Sequence, residues 1–319
     1  MSVKHFKKKL SIILKKAKLL SYHSKQFSFK TYKGKKRIII CFNGVLPHGG
    51  LVDRLKGILS FYEISKILDY DFFIQFNNPF PLDAFLEPNL VPWRIDEAAI
   101  KYNPIGTKLI YAVNNFDANP LEEIKKARAH TFIVYANIDY LKIFYPKKNV
   151  EVLETKWRLN FNELFNKTIH LKTKLNNIEK DKYISFHTRF TSLMGDFKDT
   201  TKLVLLDDEK EALCLKLQKK IKTILSINNH KCYAFSDSIN FLNKIKQKET
   251  VNLVEGSPFH MDNFTKESTL DAHLKTLIDF FMIANSEVVY FIKIDKMYHS
   301  SFSKYAAIIG DKPFKMITD

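Results

Sequence analysis

The chain has 319 residues, 45% of them hydrophobic, which is too long for one small core and points to one large or two mid-sized globular domains. Its net charge of +17 is concentrated: residues 1–37 hold thirteen Lys/Arg and no acidic side chain, whereas the other 282 residues hold 38 basic and 34 acidic ones. A nearly neutral body argues against a nucleic-acid binder, which needs its basic face on the folded domain.

The basic segment contains VKHFKKKLSIILKKAKLL. On a helix, Phe6, Leu10, Ile13, Leu14, Ala17 and Leu20 share one side, and Lys7, Lys8, Lys9, Lys15, Lys16 and Lys18 cover much of the rest. Such a helix over residues 3–20 suits an anionic membrane surface; a solvated or core-docked helix is the alternative. Its apolar runs are too short to span a bilayer, and no small-residue cleavage site follows them. Cys41, Cys214 and Cys232 are widely separated and read as reduced structural residues. The expected location is cytoplasmic, with peripheral contact at the inner face of a membrane.

From residue 37 onward, strand-like and helix-like segments alternate. Strands are predicted at 37–42, 71–76, 108–113 and 131–136, with helices at 51–68 and 120–129. Residues 151–180 read as polar and helical. A second series has strands at 183–187, 231–236, 250–255 and 287–292, and helices at 208–227, 238–248, 266–286 and 300–309. Regular alternation of this kind implies parallel sheets covered by helices. The expected organisation is α/β: a basic amphipathic arm (1–36) followed by two Rossmann-like doubly wound domains, 37–165 and 166–319.

Ligands of such sheets sit beyond the carboxyl ends of the strands, and four strand-to-helix junctions carry unusual residues. In NGVLPHGGLVDRLKG (43–57), Gly49 and Gly50 let the backbone approach a ligand at a helix N-terminus. Asp53 and Arg54 follow in the first helical turn; a plain glycine turn would look the same. In YISFHTRF (183–190), His187 and Arg189 leave a strand together, and the planar Arg fork suits a phosphate. In AFSDS (234–238), Ser236 or Asp237 can cap the next helix, or Asp237 can accept donors from a base or ribose. In HSSFSKYAA (299–307), Ser300, Ser301 and Ser303 crowd one helix start, more hydroxyls than a cap requires.

Other motifs carry less. Asp69-Tyr70-Asp71 is formally a D-x-D but closes a helix and opens a strand, so it reads as a connection. The sequence has no Walker-type loop, no G-x-G-x-x-G, no nucleophile elbow and no Cys/His pairs at zinc-ligand spacing.

Taken in order, GGLVDRLKG, ISFHTRF, AFSDS and SSFSKYAA resemble the blocks of the GDP-fucose-dependent fucosyltransferase superfamily, over roughly residues 37–310. That group contains α-1,2, α-1,6 and protein O-fucosyltransferases. The resemblance implies the GT-B fold, two Rossmann-like domains facing a cleft. It implies that Arg189 grips the donor diphosphate and that Ser301 or Ser303 binds phosphate oxygens. It further implies that Asp237 contacts the nucleoside, and that Gly49, Gly50 and Arg54 face sugar and acceptor. His187 and Ser300 join the same donor-binding set. The family often continues H-x-R directly with Arg or Gly and Asp; here Phe190 and Thr191 follow, and Asp196 comes later.

The resulting expectation is a glycosyltransferase that moves fucose from a GDP-sugar to a hydroxyl of a glycan or lipid-linked glycan acceptor, with inversion. Neither a cofactor nor a metal is implied. Arg189 would carry catalysis, with Asp53, Asp196 and Asp199 as candidate bases. The rival is a non-enzymatic binder of nucleic acid or another anionic polymer, acting through the basic segment.

Overall fold

The computed structural model describes residues 3–199, 201–263 and 270–319. The chain divides into two compact units, Met1–Asn166 and Lys167–Asp319.

The first unit runs α1 (Val3–Ser24), β1 (Arg37–Phe42), α2 (Leu51–Leu68), β2 (Asp71–Phe76), β3 (Leu86–Pro88), β4 (Thr107–Ala112), α3 (Pro120–Lys125), β5 (Thr131–Ala136), α4 (Leu141–Phe144) and α5 (Val150–Leu164), with β6 (Phe165–Lys167) at the boundary. Its main sheet has the order β2-β1-β5-β4, and every pairing is parallel. All six residues of β1 and of β5 are buried, as expected of central parallel strands covered on both faces. On one face Ile39, Cys41, Ile133 and Tyr135 pack with Leu19 of α1. On the other, α2 lies so close to the end of β5 that a Cβ added at Gly57 would collide with the Ala136 carbonyl. Asp69 closes α2 in a left-handed conformation (φ 54°), so Asp69-Tyr70-Asp71 is a helix-to-strand connection.

The basic segment is not a separate arm. The C-terminal half of α1 is a layer of the first unit, with Leu19 and His23 buried and the Lys15 ammonium 5.8 Å from the centre of the Tyr111 ring. The physical reason is the sheet itself: its second apolar face must be covered. The placement of Phe6 and of Lys7, Lys8 and Lys9 lies outside the described side chains.

The second unit runs α6 (Ile169–Ile178), β7 (Tyr183–Thr188), α7 (Asp207–Ser226), β8 (Lys231–Ser236), α8 (Ile239–Lys248), β9 (Asn252–Leu253), α9 (Leu270–Asn285), β10 (Val289–Ile292), α10 (Phe302–Gly310) and β11 (Phe314–Ile317). Its sheet has the order β11-β10-β7-β8-β9 and is parallel throughout. Counted from the first strand, this is the 3-2-1-4-5 arrangement of a doubly wound fold, whose topological switch point lies between β7 and β10. Alternation along β7 sends Ile184 and Phe186 into the core beneath α7 and α8. Tyr183, Ser185 and His187 face the other way, toward α9 and α10: the Tyr183 hydroxyl donates to the Met282 carbonyl (2.7 Å), and the Ser185 and Ser286 hydroxyls lie 2.8 Å apart.

Several boundaries differ from the predicted ones. The helix at 120–129 ends at Lys125. The strand at 250–255 shrinks to two residues, because the Val251 amide turns to the Glu249 carbonyl (2.9 Å) and Gly256 adopts φ +103°. Residues 266–269 of the helix predicted at 266–286 lie outside the described residues. The edge strand β11 was not expected.

Candidate functional site

In the first unit, the carboxyl ends of β1, β2, β4 and β5 are joined by a polar framework. Gly49 has φ +85°, and Gly50, extended at φ −74°, is the N-cap of α2. The Arg54 side chain is 2% exposed. Its Nε donates to the Gly49 carbonyl (3.1 Å) and its Nη1 to the Asn78 carbonyl (2.7 Å), while the guanidinium lies over the rings of Phe76 and Phe42. Arg54 therefore clamps the loop after β1 to the loop after β2 and does not face outward as expected; one backbone carbonyl from each loop accepts from it. Asn137, after β5, continues the framework. Its amide donates to the His48 carbonyl (3.1 Å) and to Asn114 Oδ1 (3.0 Å), and its own oxygen accepts from the Asn114 amide (2.8 Å). Asp53 keeps 45% of its side chain exposed, with Lys56 at 3.4 Å. A Cβ on Gly49 would lie 2.5 Å from Asp53 Oδ2, so the carboxylate lies against the glycine turn, where φ +85° favours glycine.

In the second unit, the switch point brings together residues more than a hundred positions apart. His187, at the end of β7, is buried, with Nδ1 3.1 Å from the Ser303 hydroxyl. Its ring stacks on Phe291 and contacts Phe302. The Arg189 carbonyl accepts from the Tyr298 amide (3.1 Å), which ties the exit of β7 to the serine segment two residues before Ser300. Ser300 Oγ accepts from the Phe302 amide (3.2 Å). Ser301 is the N-cap of α10, and its side chain makes no cap hydrogen bond. Ser301 is half-exposed, at the positive end of a nine-residue helix. Ser303 instead points inward to His187, so its hydroxyl positions the imidazole and is not turned to a ligand.

The Arg189 guanidinium leans toward β8. Nη2 pairs with Asp199, Nε lies 3.2 Å from Asp237 Oδ2, and the Phe197 ring stacks beside it at 4.7 Å. Arg189 retains 19% of its side-chain exposure, against 2% for Asp237. Asp237 also accepts the amides of Phe190 (2.8 Å) and Thr191 (2.7 Å), holding Thr191 at φ +58°, a conformation disfavoured for a β-branched residue. Burial raises the Asp237 carboxyl above the usual carboxylate range, opposed by Arg189 and those amides. With its oxygens engaged inside the loop, Asp237 holds Arg189 in place and does not stand open for the expected nucleoside contact. Nor does it cap α8: Ser238 Oγ accepts from the Phe241 amide (3.1 Å). Asp196, one of the expected candidate bases, accepts from the Ser238 hydroxyl (2.9 Å) and the Asn240 amide (2.8 Å). It is an outer cap of α8, where a carboxylate complements the helix dipole.

Two site histidines are buried and neutral. Desolvation, followed by the neighbouring Arg54, lowers His48 to about 3. Desolvation, followed by Arg189, lowers His187 to about 3. The unfolded chain binds protons at these residues near pH 6.5, so between pH 6.5 and 3 the unfolded state holds more protons. Stability is therefore full above that window and falls as pH drops through it. Each histidine should cost about 2 kcal/mol between pH 7 and pH 5. A melting temperature unchanged across that interval would contradict their neutral burial.

No protein-family profile and no curated protein sequence matches this chain. Solved structures do. A NodZ α-1,6-fucosyltransferase soaked with GDP-fucose is similar at TM-score 0.53 and 13% identity, with 86% of this chain and 93% of that one covered. A fucosyltransferase NodZ from Bradyrhizobium is similar at TM-score 0.54 and 14% identity, with the same coverage. The fold of this chain is thus the mixed α/β, GT-B fold of these fucosyltransferase structures.

Proposed function

We propose that this chain is a glycosyltransferase that moves a sugar, fucose in the first instance, from a GDP-activated donor to a hydroxyl of a glycan acceptor. The observation that carries the reading is the junction of the β7 exit with the α10 N-terminus at the switch point of the second unit. His187 meets Ser303 there, and the Arg189 carbonyl meets the Tyr298 amide. A cation and a helix N-terminus flanking one strand exit form a receptor for a diphosphate. The sequence blocks at these positions resemble those of GDP-fucose enzymes, and one structure sharing the fold was soaked with GDP-fucose.

In this reading the acceptor oxygen attacks the anomeric carbon as the bond to the diphosphate breaks, and the configuration inverts. Arg189, Ser301 and the N-terminus of α10 receive the charge that develops on the departing diphosphate, with Ser300 shaping the turn. Neutral His187 holds the start of α10 in register through Ser303. Gly49 and Gly50 shape the exit of β1, and Asp53 is the exposed carboxylate there, the candidate to accept the acceptor's proton. Asp196 and Asp237 support the fold of the site. The acceptor class is a surface polysaccharide or a lipid-linked glycan, and no metal is required by this scheme.

The test is thermal unfolding with GDP, UDP, ADP and an RNA oligomer side by side. A ligand at about 100 times its dissociation constant stabilises by about 2.7 kcal/mol. GDP should raise the melting temperature while UDP, ADP and RNA do not. Stabilisation by UDP or ADP instead would replace the donor base, and stabilisation by RNA alone would favour the polymer-binding rival.

A further inference from the structure

Among the described side chains of α1, one edge packs on the first unit. Leu19 and His23 are buried and Ile12 is half-buried against the sheet. At 100° per residue these three positions fall within about 40° of one another. Leu10, Ile13, Leu14, Ala17 and Leu20 form a second stripe centred about 135° away on the same geometry. That second stripe is uncovered: Leu10 is 46% exposed, Ile13 61%, Leu14 62% and Leu20 47%, and Ala17 is exposed as well. Lys16 and Lys18, both exposed, border it on its two flanks. No acidic residue occurs between residues 1 and 37, although thirteen basic ones do. Among the described residues, no helix is long and apolar enough to cross a membrane.

A helix with one docked edge and one free apolar stripe is not explained by packing within its own unit, because packing needs only the first edge. We propose that the outward stripe of α1 seats the chain on the surface of an anionic phospholipid bilayer, with the helix axis parallel to the membrane plane. The aliphatic side chains would enter the boundary between headgroups and acyl chains, and the flanking lysines would meet anionic headgroups. Charge selects this occupant. A second copy of the chain would bring two unneutralised basic helices together, a like-charge contact. RNA would satisfy the lysines but leave four large aliphatic side chains facing water. An anionic bilayer offers both an apolar layer and the opposite charge. The inference stands on α1 alone, whatever reaction the two units perform.

Flotation of the full chain with vesicles tests it. One set is phosphatidylcholine alone, and the other contains about one third phosphatidylglycerol to supply the surface charge. The chain should float with the anionic vesicles, should remain unbound with the neutral ones, and should be released by high salt. Ile13→Glu with Leu14→Glu changes exposed positions only, so its unfolding curve should match the parent. That variant should lose vesicle binding by at least about tenfold. Lys16→Glu with Lys18→Glu should lose a comparable factor. No flotation of the parent chain with anionic vesicles would overturn the proposal. So would undiminished flotation of the Ile13/Leu14 variant. If the parent chain is instead dimeric in solution and the same two substitutions dissociate it, the stripe is a self-association surface and the membrane assignment is wrong.

Discussion

Arg189→Ala is expected to lower turnover of GDP-fucose at saturating donor by at least about 100-fold, the loss of roughly 3 kcal/mol that follows removal of one fixed donor aimed at developing charge. The geometry gives the reason for so large an effect. The guanidinium is held on one side by Asp237, which is itself anchored to two backbone amides, and on the other by Asp199. A side chain fixed at both ends loses little conformational freedom when a diphosphate arrives, so its charge acts without reorganisation. In the proposed reaction the diphosphate would share the partly exposed guanidinium with Asp199. Arg189→Lys keeps the charge but cannot serve two carboxylates and a phosphate with one fork, and it should recover only part of the loss. Turnover and GDP titration measured together check this. Parent-like turnover in the alanine variant would remove Arg189 from the reaction, and with it the reading of the whole second-unit junction.

Much of this fold is legible in the sequence because its strands are central. Residues 38–42 and 132–136 are continuous apolar runs, and a fully buried parallel strand leaves that mark whatever surrounds it. The helices α7 and α8 announce themselves by the helical spacing of their buried residues. What stays hidden depends on partners distant in the chain. The docked edge of α1 rests on Leu19, His23 and the half-buried Ile12, a weaker signal than the stripe of Leu10, Ile13, Leu14 and Leu20 that points outward. The uncovered stripe is the one that periodicity detects. The burial of Arg54 is invisible because its acceptors are the carbonyls of Gly49 and Asn78, and carbonyls carry no sequence. Ser303 could have been separated from Ser301 by helical phase, since position 303 looks back on β7 while position 301 caps the helix. Four residues forming the last strand, Phe314–Ile317, are too few to establish a period.

The second large effect belongs to Asp237. Replacement by alanine removes a buried carboxylate from three donors at once: the Phe190 amide, the Thr191 amide and the Arg189 Nε. Two amides then lose their acceptor in a buried loop, and Arg189 loses one of its two carboxylates. Breaking a buried charge pair by deleting one member costs about 3–5 kcal/mol, on the order of 10 °C in melting temperature for a unit of this size. Thr191 is part of the reason, because its left-handed backbone is maintained by those two amide contacts. Had Asp237 been a nucleoside contact alone, alanine would weaken GDP binding and leave the melting temperature unchanged. Calorimetry of the variant without ligand separates the two roles, since only a positioning carboxylate alters the unliganded protein. Asp237→Asn should fall between parent and alanine: its oxygen can still accept from one amide, but it no longer opposes the charge of Arg189. The loop that presents Arg189 is thus stabilised by a residue that need not touch the donor, and a carboxylate that reads in the sequence as a ligand contact acts in the fold as the anchor of the cation beside it.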